Sequence, residues 1–308
     1  MKKPVLMHSL LLIQMWKTHR HLVMCQILLL LVFQSFCTSQ ILGSDYCDYN
    51  GRFESYLDVA VDLINKAKSY VPERLITSKE KTCRPMDCAD VLRSGYNRSG
   101  VYYVWPRSRL TDGKLLEVYC DMDTDDGGWT VIQRRGNFSR SADYFYKDWS
   151  SYKNGFGDIQ KDFWLGNDNI FALTNQRVYS IRFDLTNFEE EKRHALYDIF
   201  WIDNESLKYT LHIQNYSGDA GDSMILKHAN QKFSTYDQDN DGRKEESCAL
   251  KTRGAWWYGS CYHANLNGVY ASRRQGSKIV GISWYTFTGF NESLYTTEMK
   301  IRPANFEK

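Results

Sequence analysis

The chain has 308 residues, of which 43% are hydrophobic, 25% are charged and 15% are aromatic. That composition excludes a disordered or collagen-like chain and supplies enough apolar area for one large core or two small ones. The formal net charge is only +2, so charge gives no reason to expect nucleic acid or an anionic membrane as a partner.

Residues 1–39 have the pattern of a secretory signal peptide. They contain four basic and no acidic residues, an apolar run over Leu22–Phe36, and small residues at Cys37–Ser39 before the cleavage point. The alternative is an uncleaved signal anchor, but fifteen residues are short for a bilayer span of about 20. The sequence therefore predicts a secreted, extracellular protein with no membrane span after cleavage.

Cleavage leaves six cysteines, an even number that favours disulfides over reactive thiols in a secreted chain. No pair has the Cys-x-x-Cys spacing, and no cysteines and histidines are spaced as zinc ligands. The six are Cys47, Cys83, Cys88, Cys120, Cys248 and Cys261.

Five Asn-x-Ser sequons agree with secretion and predict N-linked glycosylation. Their asparagines are Asn97, Asn137, Asn204, Asn215 and Asn291.

The segment 40–83 contains a short heptad pattern that Pro72 ends. Its apolar residues, at alternating steps of four and three, are Phe53, Leu57, Ala60, Ile64, Ala67 and Val71. One interpretation is a homo-oligomerisation helix, with Cys47 and Cys83 available for interchain disulfides. The other is an amphipathic helix lying on its own domain, with those two cysteines bonded to each other, and the spacing does not decide between them.

From Cys88 onward, strand-like runs alternate with glycine-rich turns, and two segments, Ala89–Ser94 and Asp162–Leu173, have a helical pattern. Strands outnumber helices and few spacings suit a βαβ unit, so we expect an antiparallel α+β domain. The predicted strands are Val101–Trp105, Leu116–Cys120, Trp129–Gln133, Tyr179–Leu185, Ala195–Ile202, Tyr209–Tyr216, Gly281–Tyr285 and Thr297–Ile301.

Motifs spread over residues 84–305 resemble those of a fibrinogen-related domain, and most of all the tachylectin-5 and ficolin type lectins of that family. They include Asp87-Cys-Ala-Asp-Val-Leu92, Glu117-Val-Tyr-Cys-Asp-Met122, Gly127-Gly-Trp-Thr-Val-Ile-Gln-Arg-Arg135, Phe163-Trp-Leu-Gly-Asn-Asp168, Gly254-Ala-Trp-Trp-Tyr258 and Glu298-Met-Lys-Ile-Arg-Pro303. The resemblance implies a fibrinogen C-terminal-like domain over 84–308, with a central antiparallel sheet, few short helices and a loop-rich calcium- and ligand-binding region. It also implies the disulfides Cys88–Cys120 and Cys248–Cys261.

The run Asp237-Gln-Asp-Asn-Asp-Gly242 places three carboxylates at alternate positions before a glycine, which suits a hard cation. It is not an EF-hand, because the twelfth position is Cys248 instead of a bidentate glutamate. The plain alternative is an acidic turn. The resemblance implies a Ca²⁺ site in which Asp239 and Asp241 supply carboxylates and the residues Arg243 and Glu245 supply backbone carbonyls.

The resemblance also implies a ligand pocket that begins at a cis peptide bond between Ser260 and Cys261. The backbone N–H groups of Cys261 and Tyr262 are then expected to face an acetyl carbonyl, with His263 beside them. The implied wall residues are Thr252, Lys278, Ile279 and Phe290. Related sugar-binding lectins have tyrosines at three of these positions, so Lys278 suggests an acidic sugar, another acylated ligand or an inactive pocket. The alternative is that these residues only close a loop.

The sequence contains no Gly-x-Ser-x-Gly, His-Glu-x-x-His or phosphate-binding-loop motif. We therefore expect that the protein is not an enzyme. The first hypothesis is a secreted, calcium-binding lectin for acylated carbohydrate on cell or microbial surfaces, with a role in innate immunity or agglutination. The alternative hypothesis is a fibrinogen-like ligand for a protein receptor, or a venom or saliva component without affinity for sugar.

Overall fold

The computed structural model describes residues 58–63, 84–108, 113–270 and 281–306. The chain divides into two compact units, residues 1–81 and 82–308. In the first unit, residues 58–63 form helix α1, and all six are exposed. The rest of the predicted heptad segment lies outside the described residues, as do Cys47, Cys83 and the predicted signal peptide 1–39.

The second unit is built on an antiparallel sheet in the order β1-β2-β3-β11-β6-β7-β8, with β5 also paired to β3 and β4 to β5. A small second sheet joins β9 to β10. The strands are β1 Gly100–Val104, β2 Leu116–Asp121, β3 Trp129–Arg135, β4 Phe156–Gly157, β5 Phe163–Trp164, β6 Tyr179–Thr186, β7 Lys192–Ile202, β8 Leu211–Gly218, β9 Ala264–Asn265, β10 Ser283–Trp284 and β11 Thr296–Pro303. This confirms the predicted antiparallel α+β class.

The helices of the second unit are short. They are α2 Cys88–Arg93, α3 Trp149–Asn154, α4 Asn167–Thr174, α5 Ile225–His228, α6 Cys248–Thr252 and α7 Tyr285–Thr288, with a 3₁₀ turn at Glu205–Leu207. None of the described helices is long and apolar enough to cross a membrane.

Two predicted elements form a different kind of secondary structure over part of their length. The predicted helix Asp162–Leu173 starts only at Asn167, because Phe163 and Trp164 pair with β3 and β4 as β5. Gly166, with a φ of +104°, then turns the chain into α4. The predicted strand Gly281–Tyr285 contains only a two-residue strand, and Tyr285 begins a helix instead.

The core contains large aromatic side chains on the inner face of the sheet, including the fully buried Trp129, Trp164 and Phe183. Strand β6 alternates buried and partly exposed residues over most of its length, which is the period of a sheet with one covered face. Both disulfides implied by the resemblance are formed. Cys88 is bonded to Cys120, and Cys248 is bonded to Cys261.

Lys300 on β11 is a buried cation, only 2% exposed. Its ammonium lies 2.8 Å from carboxylate oxygens of both Asp184 and Glu298 and also contacts Asp121. Burial alone would lower the pKa of Lys300, but the three carboxylates outweigh it and raise that pKa. The lysine therefore stays charged and links β11 to Asp121 on β2 and to Asp184 on β6.

The central strand β3 also anchors the loop-rich region that follows α6. The Gln133 amide donates to Leu266 O and to Asn267 Oδ1, both at 3.1 Å. The buried Arg135 guanidinium donates to Leu266 O at 3.1 Å and to Gly268 O at 2.9 Å. Burial lowers the pKa of Arg135 to about 10, so it remains protonated at neutral pH. Residues 266–268 are thus held by side chains of the sheet.

Candidate functional site

His228, the last residue of α5, holds the backbone on which the candidate site is built. The side chain is fully buried. Its Nε2 accepts hydrogen bonds from the N–H groups of His263 at 3.1 Å and Ala264 at 3.0 Å. Nδ1 must therefore carry the proton, which it donates to Trp257 O at 2.7 Å. Burial lowers the pKa of His228 to about 4, so the ring is neutral and connects both ends of the segment 257–264.

Gly259 allows α5 to lie directly against this segment. A Cβ at Gly259 would stand 2.7 Å from the carbonyl oxygen of Lys227, which is closer than side chains tolerate. Gly259 also accepts a hydrogen bond from Gly242 N at 3.0 Å and donates one to Cys261 O at 2.9 Å. The turn around the second disulfide is thus joined to residues 237–242, which we call the acidic loop.

The peptide bond between Ser260 and Cys261 is cis, as the resemblance implies. Among the described residues, the backbone N–H groups of Cys261 and Tyr262 have no hydrogen-bond acceptor. The next two N–H groups are both bonded to His228. Two neighbouring backbone donors are therefore left for an acceptor from outside these residues.

Tyr262, His263, Tyr285 and Phe290 form a cluster that we call the aromatic surface. The Phe290 ring centroid lies 5.6 Å from that of Tyr262 and 4.6 Å from that of Tyr285, and His263 stacks on Tyr285 at 4.9 Å. Tyr285 and Phe290 are each 45% exposed. Burial, and after it the ammonium of Lys227, lowers the pKa of His263. A neutral, partly exposed aromatic surface thus adjoins the two free backbone donors.

The predicted wall residues are only partly brought together. Phe290 belongs to the aromatic surface, but Thr252 is 1% exposed. Its hydroxyl donates to the Tyr258 oxygen at 2.7 Å, while the Tyr258 hydroxyl donates to Asn265 Oδ1. Thr252 is therefore enclosed in the domain interior, and its place in the pocket wall stays a prediction. Lys278 and Ile279 lie outside the described residues.

The acidic loop arranges its carboxylates in two different ways. Asp241 accepts hydrogen bonds from Arg243 N and Cys248 N, each at 2.7 Å, and Asp239 accepts one from Asp241 N at 3.1 Å. Asp237 points elsewhere, because it accepts from Trp149 N at 2.9 Å at the start of α3. Asp239 and Asp241 therefore remain as the candidate carboxylates for a cation, while Asp237 has a structural role.

Burial raises the pKa of Asp241, with the adjacent Asp239 carboxylate adding to the effect, in spite of the two backbone donors. Two close carboxylates on an oxygen-rich loop suit a hard cation such as Ca²⁺, which would relieve their repulsion. No cluster of three or more histidine, cysteine, aspartate or glutamate side chains arranged to hold a metal occurs within the described residues. Any further ligands must then be backbone carbonyls or water.

His228 and Tyr285 were not identified as site residues from the sequence. His228 is 35 positions away from His263 in the chain, and a single buried histidine has no local sequence signal. Tyr285 was expected at the end of a strand, and only the turn into α7 brings it next to Phe290.

A separate groove of about 740 Å³ lies over strands β3, β11, β6 and β7 and is lined partly by Arg134, Asp184 and Asn137. Its charges are largely paired with one another, as in the contacts of Arg134 with Glu298 and of Arg182 with Asp184. We therefore place the candidate site at the aromatic surface, which combines free donors with exposed rings.

Comparisons with known proteins agree with this architecture. The sequence profile of the family described as "Fibrinogen beta and gamma chains, C-terminal globular domain" matches residues 84–304. The chain is 56% identical over 222 residues to Techylectin-5A of Tachypleus tridentatus, covering 72% of this chain and 75% of that protein. It is 48% identical over 218 residues to the Techylectin-like protein of Phoneutria nigriventer, covering 71% of this chain and 82% of that protein.

The chain is also 44% identical to Angiopoietin-related protein 7 of Bos taurus, covering 72% of this chain and 63% of that protein. Among solved structures, it is similar to the fibrinogen-like globe domain of human ANGPTL2, with a TM-score of 0.67 and 39% identity over 71% of this chain and 99% of that one. The chain therefore belongs to the fibrinogen C-terminal domain family.

Proposed function

We propose that this protein is a secreted, calcium-binding lectin that recognises acylated carbohydrates through its aromatic surface. The observation that supports the proposal most directly is the pair of free backbone N–H groups at Cys261 and Tyr262. They can donate to the carbonyl oxygen of an acyl group, while Tyr262 and Phe290 pack against its methyl group. The function is binding, not catalysis.

The expected affinity for a single sugar is low. Burying one methyl group contributes only about 0.8 kcal/mol, and the two hydrogen bonds replace hydrogen bonds to water. Useful binding to a cell or microbial surface therefore requires several sites at once. We propose that homo-oligomerisation through residues 40–83 brings several binding sites together.

Secretion is supported by the two disulfides, which form and persist in oxidising compartments. The predicted signal peptide 1–39 belongs to this proposal. The asparagines of all five sequons are exposed, as glycosylation requires. These are Asn97, Asn137, Asn204, Asn215 and Asn291.

Ca²⁺ is proposed at Asp239 and Asp241, with the backbone carbonyls of Arg243 and Glu245 and water completing its ligands. When bound, the ion would neutralise the two carboxylates and stabilise the loop. That loop leads to Cys248, which is bonded to Cys261 in the ligand site. The ion therefore acts on binding through the covalent framework.

The test is a titration of the purified full-length protein with N-acetylglucosamine and with glucose, which lacks the acetyl group, in the presence and absence of Ca²⁺. We expect binding of the acetylated sugar alone, lost in Phe290→Ala. Tyr103→Ala is the matched control, because Tyr103 is a comparably exposed aromatic residue on β1, at 52%. If neither sugar binds, or if Phe290→Ala binds as well as the wild type, the proposal is refuted.

A second candidate function is binding to a protein receptor. It is favoured by the 44% identity to an angiopoietin-related protein and by the two exposed rings of the aromatic surface. In that case a receptor fragment, but no acetylated sugar, would bind, and excess N-acetylglucosamine would not compete.

A further inference from the structure

Asn291 lies at the tip of a short turn beside the aromatic surface. The turn is closed by a hydrogen bond from the Thr288 hydroxyl to Glu292 O at 3.1 Å. Gly289, with a φ of +68°, donates to Tyr285 O at 3.0 Å at the end of α7. Phe290 and Asn291, between these two contacts, are both exposed.

Asn291 also begins the sequon Asn291-Glu-Ser, and it directly follows Phe290 in the chain. The Phe290 ring contacts Tyr262, His263 and Tyr285, with ring centroids 5.6, 6.3 and 4.6 Å apart. A glycan on Asn291 therefore starts one residue from the aromatic surface. None of the other four sequon asparagines adjoins a residue of that surface in the sequence.

We propose that Asn291 carries an N-linked glycan whose N-acetylglucosamine residues compete in cis for the aromatic surface and so weaken binding of soluble ligands. The inference rests on the proposed lectin function, since the competing group is the acetamido group that this site is proposed to bind. The glycan comes from a lipid-linked oligosaccharide diphosphate: the bond from Asn291 Nδ2 to sugar C1 forms, the bond from C1 to the phosphate oxygen breaks, and the amide proton leaves with the lipid diphosphate.

The size of the effect follows from the low affinity of the site. A ligand tethered by a short flexible linker reaches an effective concentration of about 1 to 10 mM. For a site with a dissociation constant of about 1 mM, such a tethered competitor weakens the apparent affinity for free sugar about two- to tenfold. A site of much higher affinity would stay permanently occupied by its own glycan. Weak binding therefore allows free ligand to displace the glycan.

The experiment uses the full chain, secreted from eukaryotic cells. Mass spectrometry of glycopeptides measures the occupancy of Asn291, and titration with N-acetylglucosamine compares the wild type, Asn291→Gln and Asn97→Gln. Asn97 is a matched control, because it is also an exposed sequon asparagine but lies beside β1 at the edge of the sheet. Circular dichroism and thermal unfolding establish that all three proteins are folded.

We expect an occupied Asn291, a two- to tenfold tighter apparent affinity in Asn291→Gln, and the wild-type affinity in Asn97→Gln. An unoccupied Asn291, or an occupied one whose removal leaves the affinity unchanged, would overturn the inference while leaving the lectin function intact. Absence of sugar binding in every protein would instead refute the proposed function, and this inference with it.

Discussion

Acidification should destabilise this domain through His228. The buried ring accepts two backbone N–H groups with Nε2 and donates with Nδ1, so the folded structure has no place for a second proton. Protonation would turn the acceptor Nε2 into a donor that faces two other donors. The pKa of His228 is accordingly lowered by burial from 6.5 to about 4.

The direction and size of the effect follow from this difference. Below about pH 6.5, the unfolded chain takes up a proton that the folded protein does not bind until about pH 4. The contribution of His228 to the free energy of unfolding is therefore fully present above about pH 6.5, and it is lost as the pH falls from there to about 4. Between pH 7.5 and pH 5, the expected loss in the free energy of unfolding is about 2 kcal/mol from this one group.

The assay is urea unfolding followed by tryptophan fluorescence at several pH values, at constant calcium concentration. Carboxylates also titrate as the pH falls, so the informative quantity is the difference between the wild type and His228→Gln. The variant is expected to be less stable at pH 7.5 and to lose about 2 kcal/mol less on acidification. Parallel losses in the wild type and His228→Gln would refute the reasoning.

Three further predictions concern metal, backbone and charge. Chelation of Ca²⁺ should lower the melting temperature of the wild type but not of Asp241→Ala, since a bound ion stabilises the folded state by mass action. A wild-type melting temperature that chelation leaves unchanged would contradict the calcium site. Gly259→Ala should cost about 1–3 kcal/mol in urea unfolding, whereas Gly100→Ala, where a Cβ meets nothing within 4 Å, should be nearly neutral; equal costs would contradict the close approach of α5. Lys300→Met should cost about 3–5 kcal/mol because it leaves the buried Asp121 carboxylate without its cation, whereas Asp184 and Glu298 keep their pairs with Arg182 and Arg134. Arg193→Met, at an exposed pair with Glu191, should cost less than about 1 kcal/mol.

The fold was predictable from the sequence because strands have a local pattern of apolar residues and because long motifs of the family span the central strands. Alternation of apolar residues marks strands such as β6, and the motif Gly127–Arg135 contains the central strand β3. The predicted helix over Asp162–Leu173 began too early, because the pairing of Phe163 and Trp164 with β3 is a long-range contact that local periodicity does not record.

The candidate site was harder to predict for the same reason. Thr252 was placed in the pocket wall by the family resemblance, which does not show that its side chain turns inward to Tyr258. His228 acts on backbone groups of His263 and Ala264, a type of contact that depends on the folded path of two loops. Sequence patterns thus located the segment 257–264 but not the side chain that holds it.

The geometry of the proposed ligand site depends on the segment from Asp241 to His263, which is held at separate points rather than by a strand ladder. The Asp241 carboxylate accepts from Cys248 N, and Cys248 is bonded to Cys261. On the far side of Tyr262, the next two backbone N–H groups are bonded to His228. The free donors of Cys261 and Tyr262 therefore lie between a covalent anchor and a buried hydrogen-bonded one. Fixing donors before the ligand arrives reduces the entropy lost on binding, which matters most for a ligand that offers as little contact area as an acetyl group. Loss of either anchor should accordingly weaken sugar binding even where the fold of the sheet is retained.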